Sequence, residues 1–287
     1  MASPEVTAFF NAATNTISYV VADPETGQCA VIDPVLDYDL TAGRTSTASV
    51  EAVIDFIESN KLSLDIVLET HVHADHLTAA PVLTQRLQAT TAIGNQITAV
   101  QKVFADILNL DDVATDGSQF DRLLADGDEF SIGNIHVQVL HTPGHTPACV
   151  SFVIGDTAFV GDTLFMPDFG TARCDFPGGD AEVLYDSIQR IFELPNETRL
   201  FMCHDYKAPG RDEYAWETSV REQREHNIHI HDGIRKQEFV EFRTERDAEL
   251  SVPKLIIPAI QVNIRAGDMP GPEDNGVSYL KVPVDVL

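Results

Sequence analysis

Three short apolar runs open the chain: Ala8-Phe9-Phe10, Ile17 to Val21 and Cys29 to Ile32, the last two separated by the turn Asp23-Pro-Glu-Thr-Gly27. Brief β-branched and aromatic runs bounded by such turn residues predict a strand meander. After the polar stretch Thr41 to Ala48 the period changes. Val50, Val53, Ile54 and Ile57 recur at helical spacing and predict a helix over about 49–59. Leu64 to Leu68 then reads as a strand, Leu83 and Leu87 mark a second helix, and about 97–109 a third. A second unit begins near Asp126-Gly127-Asp128, with strands expected at 135–140, 149–154 and 157–160. Leu184, Ile188, Ile191 and Phe192 share one face of a helix over about 181–193, which Pro195 closes, and a strand follows at 199–203. Two successive sets of strands followed by helices predict an α+β fold: two sheets face to face with helices outside, which buries both apolar strand sets. Beyond residue 210 the segments 213–227 and 236–248 are charged and expected to be helical, while Leu255 to Val262 is apolar around Pro258. No linker separates this tail, so the expected organisation is a main domain over 1–210 and an extension over 211–287 packed on it.

The 287 residues suffice for a substantial core, and a hydrophobic content of 44% is ordinary for a soluble enzyme. The formal charge of −26, from 45 acidic and 19 basic residues without a basic stripe, argues against nucleic-acid binding and against anionic membrane surfaces. The N-terminus lacks the pattern of a secretory signal, and nothing approaches a membrane-spanning run. Four scattered cysteines (Cys29, Cys149, Cys174 and Cys203) form no Cys-x-x-Cys pair, which suits a reducing cytoplasm. Cys29, Cys149 and Cys203 sit in strand-like runs as core residues, and Cys174, in a polar loop, is the candidate for reactivity.

The most informative stretch is His71-Val-His73-Ala-Asp75-His76, three imidazoles and a carboxylate directly after the strand at 64–68. Neutral imidazole is the commonest protein metal ligand, and carboxylates complete mixed sites for zinc or iron. Further candidate ligands follow later strands: His145 in His141-Thr-Pro-Gly-His145, Asp162 in Gly161-Asp162-Thr163, and His204 in Cys203-His204-Asp205-Tyr206. His71, His145 and Asp162 form one natural set, two imidazoles and a carboxylate, as in the facial triad of non-haem Fe(II) oxygenases. His73, Asp75, His76 and His204 complete a second pocket beside it; with all seven engaged, Asp162 can bridge two metals, as in binuclear hydrolases. With one metal, the second group becomes hydrogen-bonding partners that orient the ligands.

The remaining histidines read as structural: His136 in a strand, His141 orienting the loop of His145, and His226, His229 and His231 on a solvated face or a domain contact. Thr142-Pro143-Gly144 forms a tight turn before His145, where Gly144 permits a close backbone approach. Arg173, in the glycine-flanked loop Gly170 to Gly179, is either an ion pair with Asp175 or an anchor for a substrate carboxylate. Tyr206 either hydrogen-bonds a substrate or packs.

With these residues in view, the chain resembles the metallo-β-lactamase superfamily, through His71-x-His73-x-Asp75-His76 followed in order by His145, Asp162 and His204. Within it, the chain looks most like the persulfide dioxygenases. The supporting segments are Glu69-Thr-His-Val-His-Ala-Asp-His76, His141-Thr-Pro-Gly-His-Thr146, Gly161-Asp-Thr-Leu-Phe165, Thr171-Ala-Arg-Cys-Asp-Phe176, Cys203-His-Asp-Tyr206 and the tail Pro258-Ala-Ile-Gln-Val-Asn-Ile-Arg-Ala-Gly267. The resemblance implies an αββα sandwich with a C-terminal extension, one Fe(II) per chain held by His71, His145 and Asp162, and oxidation of glutathione persulfide with O2 to sulfite and glutathione. It places Arg173, Tyr206 and Arg265 near the glutathione moiety and implies a homodimer. The related alternative is a glyoxalase II-type hydrolase of S-D-lactoylglutathione, with the same seven ligands around two zinc or iron ions.

Overall fold

Apolar side chains on both faces of the interior strands dictate the layering. In a computed structural model describing residues 3–286, the first half of the chain forms β1 (Glu5–Asn11), β2 (Thr16–Ala22), β3 (Gln28–Ile32), β4 (Val35–Asp39), β5 (Arg44–Ser46), α1 (Ala48–Ser59), β6 (Ser63–Glu69), β7 (Leu77–Thr78), α2 (Ala80–Leu87), β8 (Thr90–Gly94), α3 (Ile97–Leu108) and β9 (Arg122–Leu124). The second half adds β10 (Glu129–Ile132), β11 (Ile135–His141), β12 (Val150–Ile154), β13 (Thr157–Phe159), α4 (Ala181–Phe192), β14 (Arg199–Phe201), β15 (Glu217–Ser219), α5 (Val220–His226), α6 (Lys236–Asp247) and α7 (Ile256–Asn263).

One sheet has the order β1-β2-β3-β6-β8-β9 and the other β10-β11-β12-β13-β14-β15. Side chains alternate along a strand, so Ile17, Tyr19 and Val21 of β2 face Val137, Val139, Phe152 and Phe159 in the core between the sheets. Val20 and Ala22 point the other way, onto Val50, Val53, Ile54 and Ile57 of α1, and Leu83 of α2. The second sheet is covered by α4, whose Leu184, Ile188 and Ile191 pack on Ala158, Val160 and Leu200. This is the expected αββα sandwich.

The tail closes both outer layers: Ala259 and Val262 of α7 join the cluster of α1 and α2, and Phe239 of α6 joins that of α4. One reading of the tail differs from the sequence pattern. Residues 217–219 pair with β14 as a strand, and the helix starts where Ser219 Oγ accepts the Glu222 N–H (3.1 Å). Around Pro258 the chain is helical, because proline in a first turn removes no intrahelical hydrogen bond. The polar stretch after β3 holds the hairpin β4–β5, completed by β7 into a small third sheet. Among the described residues no helix is long and apolar enough to cross a membrane.

Candidate metal centre

Every candidate ligand lies beyond the C-terminal end of a strand, along one edge of the sandwich. The parallel neighbours β3 and β6 deliver Asp33 and the His71–His76 loop, and the parallel pair β13 and β14 delivers Asp162 and His204. His145 sits in the connection from β11 to β12. Gly144 brings that connection against α4: its φ is +136°, and a Cβ there would fall 2.4 Å from Leu184 Cα, so only glycine fits.

The ligand atoms converge as two sets. His71, His145 and Asp162 offer donor atoms all within 4.8 Å of one another, and so do His73, Asp75, His76 and His204. Asp162 joins the sets. Its Oδ2 lies 3.9 Å from His71 Nε2 and 3.7 Å from His145 Nε2, while Oδ1 lies 3.4 Å from His204 Nε2. Asp75 Oδ2 lies 3.3 Å from His204 Nε2 on the other side.

The hydrogen bonds around each ring test whether these residues suit a metal. Thr70 Oγ1 donates to Asp33 Oδ2 (2.8 Å), so its contact with His71 Nδ1 (3.0 Å) requires the imidazole to donate. His145 Nδ1 donates to the Arg173 carbonyl (2.7 Å) and His204 Nδ1 to the Asn15 carbonyl (3.3 Å). In all three rings the proton sits on the outer nitrogen, leaving the Nε2 lone pair facing the centre. His71 Nε2, His76 Nε2, His204 Nε2, His73 Nδ1, Asp75 Oδ2 and Asp162 Oδ1 are buried without a hydrogen-bond partner. Buried polar atoms are almost always satisfied, and orphans gathered in two adjoining sets fit bound cations.

Electrostatics supports neutral ligands. Burial and the neighbouring imidazole of His73 hold His71 well below the usual histidine value and push His76 down to about 4. His73 differs. Burial disfavours its cation, yet Asp33, 3.1 Å from Nε2, and Glu69, at 3.6 Å, raise it well above the ordinary value.

The other expected residues divide. Tyr206 stacks on His204 (ring centroids 5.8 Å apart) and on Phe169, and lines the cavity. Arg173 also lines it, but its guanidinium is engaged: Nε and Nη2 reach the two oxygens of Asp175 at 2.6 and 2.7 Å, and Nη1 donates to the Ser251 carbonyl. Of the two readings of Arg173, the structure contains the ion pair. Arg265 is drawn elsewhere, donating to Asp112 (2.9 Å) and to the Gln261 carbonyl (2.6 Å), and it is not among the cavity-lining residues. Cys174 is buried, and burial together with Asp247 pushes its thiol up to about 12, which corrects the expectation of a reactive cysteine. His141 holds its loop through the Pro147 carbonyl (2.9 Å), and His229 lines the cavity while its Nδ1 accepts the Thr171 N–H (3.0 Å).

Three contributors escape a motif search. Asp33 and Thr70 support His71 and His73, and Asn263 of α7 donates to the carbonyls of His73 (2.9 Å) and His76 (2.8 Å), clamping the histidine loop. Asp33 follows a buried apolar strand as the ligands do; Asn263 becomes visible only once α7 is packed.

Beside the centre opens a cavity of about 1170 Å³, with Asp75, His145 and Asp162 in its lining and walls that include Tyr38, Phe165, Phe169 and Leu255. Such a volume lies just above the usual range of about 300 to 1,000 Å³ for small-molecule sites.

A family model described as "Metallo-beta-lactamase superfamily" matches residues 13–204. The chain is 50% identical to Glyoxylase B2 of Dictyostelium discoideum over 271 residues, covering 93% of this chain and 92% of that one. It is 30% identical to the mitochondrial persulfide dioxygenase ETHE1 of Homo sapiens over 261 residues, covering 90% and 87%. The crystal structure of ETHE1 from Myxococcus xanthus matches with a TM-score of 0.73 and 33% identity, over 92% of this chain and all of that one.

Proposed function

We propose that this chain, a member of the metallo-beta-lactamase superfamily, is an iron-dependent persulfide dioxygenase that converts glutathione persulfide, O2 and water into glutathione and sulfite. The observation that carries this reading is the compact set of His71, His145 and Asp162, two of whose members open on the cavity. Two imidazoles and one carboxylate suit Fe(II) and leave positions for a second and a third reactant. When bound, the iron supplies a redox centre at which a persulfide sulfur and O2 meet. The balance is closed: the outer sulfur loses four electrons to O2, water supplies the third oxygen of sulfite, and the inner sulfur leaves as a thiol.

The protein's own groups bind and orient. Thr70 and the Arg173 carbonyl fix the tautomers of His71 and His145. Phe176 packs edge-on against His145 (5.3 Å), and Phe165, Phe169 and Tyr206 form an apolar wall that excludes water beside the centre. Glutathione carries carboxylates in an acidic protein, so cations on the wall matter. Arg44 and Lys254 line the cavity, and among the described residues neither is ion-paired. They are better placed than the engaged Arg173 and the distant Arg265 to receive those carboxylates. The thiol chemistry belongs to the substrate, so the buried cysteines need take no part.

A second reading, hydrolysis of a glutathione thioester at a binuclear centre, is favoured by the orphaned donor atoms of His73, Asp75, His76 and His204 and by the Dictyostelium relative. Oxygen consumption by anaerobically iron-loaded protein, with metal content and sulfite measured on the same sample, separates the two. The dioxygenase gives O2 uptake with one sulfite per O2 and about one iron per chain. Two metals per chain, no uptake, and hydrolysis of S-D-lactoylglutathione without O2 would overturn it.

A further inference from the structure

We infer that the buried pair Arg243–Asp247, in the C-terminal tail, is a positioning device for His145, acting through the backbone of the loop at 170–176. This rests on the reading of His145 as a metal ligand, and it holds whether one metal binds or two.

The link is a backbone carbonyl. His145 Nδ1 donates to Arg173 O at 2.7 Å, so the direction of the Nε2 lone pair depends on where that carbonyl lies. Residues 170–175 belong to no strand or helix, so nothing in regular structure holds it. The tail does. On one side of Arg173, Arg243 Nη1 donates to the Thr171 carbonyl (3.0 Å), and the Thr171 N–H donates to His229 Nδ1. On the other side, the Cys174 N–H donates to Asp247 Oδ2 (2.9 Å). Further back, Asn227 Nδ2 holds the Gly170 carbonyl (3.0 Å) and Gln223 Nε2 the Phe165 carbonyl (2.7 Å), both from fully buried side chains. Arg243 and Asp247 are joined directly at 2.7 Å, with side chains 3% and 4% exposed.

Stability does not account for this pair. Two buried charges carry a desolvation penalty, and apolar residues of similar size commonly replace such pairs without loss of stability. What apolar residues cannot do is hold the two backbone groups that flank Arg173. Outer hydrogen-bond partners of metal-bound imidazoles fix ring orientation, and their loss typically lowers metal affinity. Here the outer partner is a carbonyl, and the tail fixes the carbonyl.

The test replaces both charges at once, Arg243→Met with Asp247→Leu, so that neither is stranded. Metal affinity is read by chelator competition with Zn(II), ligand geometry by the visible spectrum of the Co(II) form, and folding by circular dichroism of the metal-free protein. The expected result is a folded variant with about 10- to 100-fold weaker metal binding and a shifted Co(II) spectrum. Arg243→Lys keeps the charge pair but not the fork that reaches Thr171; it is expected to fall between parent and double variant, and it decides the matter should the double variant not fold. Parental affinity and an unchanged Co(II) spectrum in folded variants would overturn the inference. His145→Ala guards the premise: if it leaves affinity unchanged, His145 is no ligand, and this inference falls together with the metal-centre reading.

Discussion

The two donor sets use the same side chains in opposite surroundings. His71 and His145 are held by neutral partners, a threonine hydroxyl and a peptide carbonyl, and with Asp162 they lie beside a large cavity. His73 and His76 are buried against the carboxylates of Asp33, Glu69 and Asp75, His204 is held at Nδ1 by the Asn15 carbonyl, and of that set Asp75 alone lines the cavity. The difference teaches that imidazole count does not define a site. Two facing carboxylates draw His73 towards cation and ion pair, whereas burial and the neighbouring His73 keep His76 neutral, and neutral partners at Nδ1 of His71 and His145 leave the Nε2 lone pair free for a metal.

The harshest way to break this comparison is Asp162→Ala, because its two oxygens face the two sets separately. Loss of bound metal and of all activity is expected, as measured by elemental analysis and either assay; a variant retaining full metal content would show that the sets are independent. A sharper cut compares His145→Ala with His76→Ala. If the neutral-partner set alone holds the metal, His145→Ala abolishes metal binding, while His76→Ala lowers activity by about 10- to 100-fold through orientation. Equal loss of activity in both variants, with metal content falling from two to one in His76→Ala, would favour the binuclear hydrolase.

Much of this was legible in the sequence because ligands that follow strands sit in dense local motifs. Four of the seven donors come from six consecutive residues, and buried apolar runs announce β2, β3, β6, β11 and β12. What escaped was decided by partners far away in the chain. Thr90–Gly94 is a short run whose strand character depends on pairing with β6, and β4 and β5 are short strands held by their pairing with each other and of β4 with β7. Asn263 and Asp247 look like ordinary polar residues of helices until packing brings them to the loops of His73 and Arg173. Arg173 itself was ambiguous because a guanidinium suits a substrate carboxylate and Asp175 equally well, and the sequence does not show that the folded chain pairs it with Asp175.

The smallest of these effects, acid sensitivity of the metal-free fold, bears on the neutral rings directly. Burial and neighbouring imidazoles hold His71 well below its ordinary value and His76 near about 4. In the unfolded chain both titrate near ~6.5. Below that pH the unfolded state binds more protons than the folded one, so the stabilisation is complete above about 6.5 and drains as pH falls towards 4. His76 alone accounts for a loss on the order of 3 kcal/mol. The raised His73 works the other way only above about 6.5, gaining stability as pH falls to that value, and below it its contribution is complete and leaves the slope unchanged. Carboxylates held low, such as Asp75, act in a still more acidic window. Metal-free protein should therefore show a falling Tm between pH 7 and 4.5, with metal-loaded protein resisting because the cation occupies the lone pairs that protons would take. His76→Ala should flatten the metal-free slope. A metal-free Tm that stays level across this range would mean that these rings take up protons in the folded protein as they do in the unfolded chain, and the reading of His71 and His76 as buried neutral ligands would fail.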